Sequence, residues 1–346
     1  MKTGARLFLT LSIMAFSIIA MIGNSALSEV VPNSICDNQR AIVIATEGSK
    51  FEPFKSFTPV FKKVNALNLE VGKIPTGFEI DLLNTVFNQM PCYSVSFIFN
   101  YDSAGEAAFE GTVPNEILKK SRGPIDFGAL FPGLTQKRKS ANGLETDQYL
   151  WDMTIATTGI TQERRDKYKI EFSDTYFKPR KHFFGRATLT QFPQDLAGKR
   201  IGVKAKTLFA KYALFINKHL AELNLTPMIL TEFDDVTLPA FDKIFAALKQ
   251  NQIDLTLADD ELFITAKQND TGLTPFQLTG PDLIQAFGHE QFGEGVGVAF
   301  RQSDTVLTLD FNRALKAVIL NCGTGGYKSI YEKYFKAASS LISHCK

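Results

Sequence analysis

The sequence predicts an α/β protein whose sheets are mostly parallel and flanked by helices. Three observations carry that expectation. Apolar, β-branched runs of strand length alternate with amphipathic stretches: residues 40–46 (RAIVIAT), 77–90 (GFEIDLLNTVFNQM) and 93–100 (YSVSFIFN) read as one β-α-β unit. The alternation recurs at residues 196–203, 241–250 and 254–258. Arg164 follows the apolar, β-branched residues 151–160, so it sits just beyond a strand's C-terminal end, where open α/β sheets bind ligands.

Size and charge bound the reading. The chain has 346 residues, enough for one large domain or two lobes. It is 45% apolar and 21% charged, ordinary for a globular protein. Residues 1–28 read as an export signal, with Lys2 and Arg6 as the basic start, Leu7 to Ile22 as the apolar run and Ala26-Leu27-Ser28 as a small-x-small cleavage site. An uncleaved anchor is the alternative. The formal charge is +2, and loss of Lys2 and Arg6 brings it to zero, so no basic field points to nucleic acid.

The elements follow in order. Strand 40–46 ends in a polar loop that carries Glu47 and Phe51. Helix 77–90 has Phe78, Leu82, Val86 and Met90 recurring every fourth residue, with Leu83 and Phe87 widening the stripe, and Pro91 stops it. Residues 101–123 are polar and turn-rich. Residues 151–160 read as a buried strand, Thr161 as a helix cap, 162–168 as a short charged helix and Ser173-Asp174 as a turn. Residues 181–186 read as a strand, 196–203 as a turn and strand leading to a helix, 241–250 as an amphipathic helix and 254–258 as a buried strand ending at Asp259-Asp260. The Gly-rich run 293–297 leads into a strand rather than a helix, which argues against a nucleotide loop. Residues 304–320 form a helix. Residues 126–138 echo 152–164 in their Asp-x8-Thr-Gln-x-Arg spacing; only the second copy precedes FSDTYF, so Arg164 rather than Arg138 is the site candidate.

Four cysteines suggest two disulfides in an exported chain. Cys36 and Cys92 each precede a strand at one edge of the first β-α-β unit, and Cys322 and Cys345 each follow a terminal helix, so the expected pairs are Cys36–Cys92 and Cys322–Cys345. No Cys-x-x-Cys occurs and the four histidines are scattered, so no metal centre is expected.

The run GITQERRDKYKIEFSDTYF resembles the signature of periplasmic solute-binding proteins for polar amino acids, the extracytoplasmic receptors of ABC importers. The Glu-Gly loop after the first strand, helix 77–90, FGALFPGL at 127–134, LAGKRIGVKAKTLF at 196–209, DLTLAD at 254–259 and GTGGYKSIYEKYF at 323–335 resemble further family segments in the right order. The resemblance implies a type II periplasmic binding protein fold with two crossing segments: residues 29–178 and 289–346 as one lobe, and 179–288 as the other. It implies that Arg164 and the backbone near Thr207 hold the ligand carboxylate. Asp259, Thr157 and Gly159 would receive the ammonium, Phe51 and Phe127 would sandwich the side chain, and Glu47 would read its far end. Lys206 stands where the family has glycine, Leu208 where it has a second threonine, and Thr157 and Gly159 where it has serine. The ligand so implied is a basic amino acid, the partner an ABC permease, the location periplasmic, the state monomeric and the cofactor none. Two rivals share the fold: a dehydratase acting on prephenate or arogenate, with Glu47 as acid, and a sensory or interaction protein with a degraded site.

Overall fold

The computed structural model describes residues 39–47, 53–64, 67–98, 125, 127–139, 142–234, 238–288, 292–335, 341 and 343–345. The predicted export signal, Cys36, Phe51 and the stretch 101–124 lie outside the described residues. In chain order the elements are β1 (Arg40–Ala45), β2 (Ser56–Val64), β3 (Leu67–Thr76), α1 (Phe78–Asn88), β4 (Tyr93–Ile98), α2 (Phe127–Thr135), β5 (Lys137–Lys139), β6 (Glu145–Tyr149), β7 (Met153–Thr154), α3 (Gln162–Tyr168) and β8 (Ile170–Phe172). Then come β9 (Lys181–Gly185), β10 (Arg200–Lys204), α4 (Leu208–Glu222), β11 (Ile229–Phe233), α5 (Ala240–Lys249), β12 (Leu255–Asp259), α6 (Asp260–Asn269), β13 (Gln277–Thr279), α7 (Leu283–Phe287), β14 (Ala299–Arg301), α8 (Thr305–Leu320) and α9 (Tyr327–Tyr334).

Two five-stranded sheets result, ordered β4-β1-β7-β14-β8 and β11-β10-β12-β9-β13. In the first, β1 runs parallel to β4 and β7, and β14 is antiparallel to β7 and β8. In the second, β10 runs parallel to β11 and β12, and β9 is antiparallel to β12 and β13. Each sheet therefore takes one reversed strand, and it is the strand that enters after the chain crosses from the other sheet. The two crossing segments lie side by side, with Val296 bridging to both Gly159 and Phe177. Gly295 makes this possible: at φ 125° it bends the return crossing, and a Cβ there would lie 2.4 Å from the Thr175 methyl.

Burial follows the sequence pattern. Phe78, Leu82, Leu83, Val86 and Phe87 of α1 are buried against β1, α8 and α9. The opposite face of the first sheet buries Leu130, Phe131 and Leu134 of α2 with Trp151 and Phe172. In the second sheet α4 covers one face and α5 with α6 the other. Cys322 and Cys345 form a disulfide, as expected. Cys92 is also disulfide-bonded, but its expected pairing with Cys36 falls outside the described residues.

Residues 151–160 are not one strand. Ladder pairing stops at Thr154, because Thr157 adopts φ 50° and its N–H donates to the Glu79 carboxylate instead of to a neighbouring strand. The sequence reading also missed two antiparallel hairpins, β2–β3 and β5–β6.

Candidate ligand cleft

The first-sheet wall is built from backbone irregularity. Thr161 caps α3, its hydroxyl accepting from the Arg164 N–H at 3.3 Å, and Lys169 at φ 54° ends the helix after two turns. That short helix turns Arg164 inward. Its guanidinium donates to the Gly159 carbonyl and lies 5.4 Å from the Phe131 ring centre. Burial lowers the Arg164 pKa to about 10, against smaller opposing pulls from Tyr212, Tyr168 and Glu163. A β-branched residue at positive φ is costly, and Thr157 is held there by Glu79. Glu79 also accepts from the Tyr176 hydroxyl, and burial raises its pKa. The Thr157 hydroxyl is itself buried, beside the Glu79 carboxylate. Glu47, two residues past β1, accepts from Lys204 at 3.2 Å; Lys55 donates to its carbonyl and lies 3.9 Å from its carboxylate.

The second-sheet wall is built from paired charges. Asp259 occupies the N-cap position of α6, but its side chain makes no cap bond. It accepts from Lys181 at 2.7 Å, its register partner in the β12–β9 ladder. Burial pushes the Asp259 pKa up, with Lys181 pulling the other way. Thr207 precedes α4, and its hydroxyl donates to the Lys204 carbonyl at 2.6 Å. Lys206 adopts φ 59°, so the loop keeps a left-handed turn although lysine replaces glycine. Two other departures compensate each other: a Cβ on Gly159 would lie 2.7 Å from Leu208 Cδ1. The larger side chain at 208 fills the space that a serine at 159 would use.

The two walls meet in a cavity of about 70 Å³. Glu47, Thr157, Gly159, Arg164, Thr207 and Asp259, all singled out from sequence, line it together. Phe51 and the Phe127 side chain lie outside the described residues. Arg138, the rejected copy of the echo, instead donates to the Tyr149 carbonyl and to Gln148 of β6. The sequence reading missed Lys181 and Lys204, and with them Phe209, Tyr212, Phe241 and Phe292, which supply the aromatic lining. A signal was present for the lysines: each sits at the end of a strand with a buried apolar centre, Lys181 in KHFFG and Lys204 in RIGVK.

No protein-family model matches the chain. It is similar to the L-arginine-binding protein of Pseudomonas aeruginosa, 30% identical over 186 residues, which span 53% of this chain and 64% of that protein. The match thus covers less than two thirds of that relative. ABC transporter arginine-binding protein 1 of Escherichia coli is 26% identical over 277 residues, covering 80% of this chain and 86% of that one. Among solved structures, an ancestral arginine-binding protein bound to arginine superposes with a TM-score of 0.54 at 22% identity, covering 86% of this chain and 99% of the other. The chain has the two-lobed α/β fold of the periplasmic amino acid-binding proteins. Both of these sequence relatives are named as arginine-binding proteins, the second as that of an ABC transporter.

Proposed function

We propose that the chain is an extracytoplasmic receptor that captures a polar, basic amino acid and delivers it to an ABC importer. The observation that carries this reading is the convergence of Arg164, Thr207, Thr157, Asp259 and Glu47 on one cavity. A buried guanidinium stands on one wall and a buried carboxylate on the other, a pattern suited to a zwitterion. Arg164 and the free amides at the α4 N-terminus receive the carboxylate. Asp259, the Thr157 hydroxyl and the Gly159 backbone receive the ammonium. Glu47 faces the side chain, and Phe209, Phe241 and Phe292 flank its stem. The names of the relatives make arginine the first ligand to test.

In this reading residues 29–178 and 289–346 form one lobe and 179–288 the other. The protein is exported after loss of residues 1–28 and acts as a monomer, by binding rather than catalysis. Glu47, which a dehydratase would use as its acid, is instead an ion-pair acceptor for Lys204. Titration calorimetry across the amino acids is the test. Arginine or lysine binding with one-to-one stoichiometry is expected. Failure of every amino acid to bind, or turnover of prephenate or arogenate, would overturn the reading.

A further inference from the structure

We propose that Lys204 sets the ligand specificity of the cleft, as a tethered cation that competes with the ligand's side chain for Glu47. The inference rests on the amino acid-receptor reading above and concerns how that site discriminates among long polar ligands.

Lys204 Nζ lies 3.2 Å from Glu47 Oε1, and the two side chains are 12% and 8% exposed; the buried Lys55 Nζ lies 3.9 Å from the other oxygen, Oε2, on the first-sheet side. The pair joins the end of β10 in the second sheet to the loop just past β1 in the first. Strand chemistry does not require a lysine there: Ile201, Gly202 and Val203 of β10 are buried, and a leucine or methionine would serve at its end. Lysine instead places a cation where the far end of a basic ligand would meet Glu47. Arginine therefore gains Glu47 Oε1 only by displacing Lys204, so at that oxygen one attraction is exchanged for another rather than added. Glutamine can leave the Lys204–Glu47 pair in place. The consequence is compressed discrimination: long side chains are admitted whether cationic or neutral.

The displaced ammonium has somewhere to go. Lys204 and Phe241 also line a second, adjoining cavity of about 420 Å³, whose walls carry the Asp242 carboxylate and the Asp270–Lys249 ion pair. A flexible four-carbon stem can turn from one cavity to the other while the strand stays in register.

Titration calorimetry with L-arginine and L-glutamine tests the idea on the wild type, Lys204→Met and Lys204→Gln, each also combined with Glu47→Gln. Thermal melts check that every variant is folded, and Lys204→Gln retains a polar group should Lys204→Met fail. The arginine-to-glutamine affinity ratio should rise about tenfold or more in both Lys204 variants, through tighter arginine binding, and the rise should vanish in the Glu47→Gln background. A ratio that stays put or falls in a folded Lys204 variant, or a rise that persists without Glu47, overturns the proposal while leaving the receptor reading intact. A wild type that binds neither arginine nor any other amino acid overturns the receptor reading, and this proposal with it.

Discussion

On the first-sheet side of the cleft, Arg164 is buried against a backbone carbonyl and an aromatic face. On the second-sheet side, Asp259 is buried against the lysine directly across the ladder. Burial dominates the shift of both groups; at Asp259 the contacting Lys181 works against it, and at Arg164 the smaller pulls of Tyr212, Tyr168 and Glu163 do. The aspartate is thus already half-satisfied by a cation on its own ladder, and an incoming counter-charge adds less to it. In the proposed receptor the wall that receives the ammonium is tuned by competition and the wall that receives the carboxylate by desolvation.

Arg164→Ala therefore has the largest expected effect. It should weaken arginine binding by about 3–5 kcal/mol, because the ligand carboxylate would enter a buried site without its counter-charge. Asp259→Asn should cost less, about 1–3 kcal/mol, since the asparagine carbonyl still accepts a hydrogen bond from the ligand ammonium. Calorimetry on both variants decides; equal losses would erase the difference between the walls.

The next effect concerns stability and separates the two sheets. The Cys322–Cys345 bond closes a separation of 23 residues around α9, beside the first sheet. Replacing both cysteines by serine should cost about 3 kcal/mol in the chain-entropy account. Hydrogen exchange should quicken in α8 and α9 and change little in α4 and α5. Uniform quickening would show that the sheets unfold as one.

A smaller effect follows pH. Glu261 is buried beside Asp259, and burial raises its pKa to about 8, with Asp259 pushing the same way. The folded form then holds a proton that the unfolded chain releases above the ordinary glutamate value of 4.5. Stability from this group should be full below about pH 4.5 and should fall as pH rises towards 8. Glu261→Gln should flatten the dependence of melting temperature on pH between 5 and 8 by an amount worth about 1–3 kcal/mol. An unchanged slope would reassign it to another group, Glu79 first, whose pKa burial also raises.

The residues that were legible in the sequence are those whose neighbours in sequence define them. Thr161, Arg164 and the Ser173-Asp174 turn follow from capping and spacing, and α1 from its apolar stripe. Asp259 was legible from its place after a buried strand. Lys181 and Lys204 were not picked out, because their meaning lies in partners 78 and 157 residues away. Thr157 was picked out for its hydroxyl, but its positive φ was hidden: only the tertiary bond to Glu79 stabilises that conformation. The β2–β3 hairpin escaped because its strands (SFTPVFKKV and LNLEVGKIPT) carry prolines, lysines and glycine that mute the alternation.

The smallest expected effect comes from a second ion pair between the same two halves of the chain. Lys211 of α4 meets Glu163 of α3 at 2.5 Å, but their side chains are 56% and 58% exposed, against 12% and 8% for Lys204 and Glu47. The hydrogen bond from Lys211 lowers the Glu163 pKa. Its contribution is therefore present above the ordinary glutamate pKa and is lost as pH falls through the lowered one. Solvent and salt screen such a pair, so Lys211→Ala should cost no more than about 0.5 kcal/mol, and less still at 1 M salt. Lys204→Met removes a pair of the same charges from a buried site and should change arginine binding with little dependence on salt. Measuring both variants at low and high salt separates burial from charge as the cause. If Lys211→Ala matched Lys204→Met in size and salt dependence, exposure would not be what distinguishes the two contacts, and the specificity assigned to Lys204 would lose its physical basis.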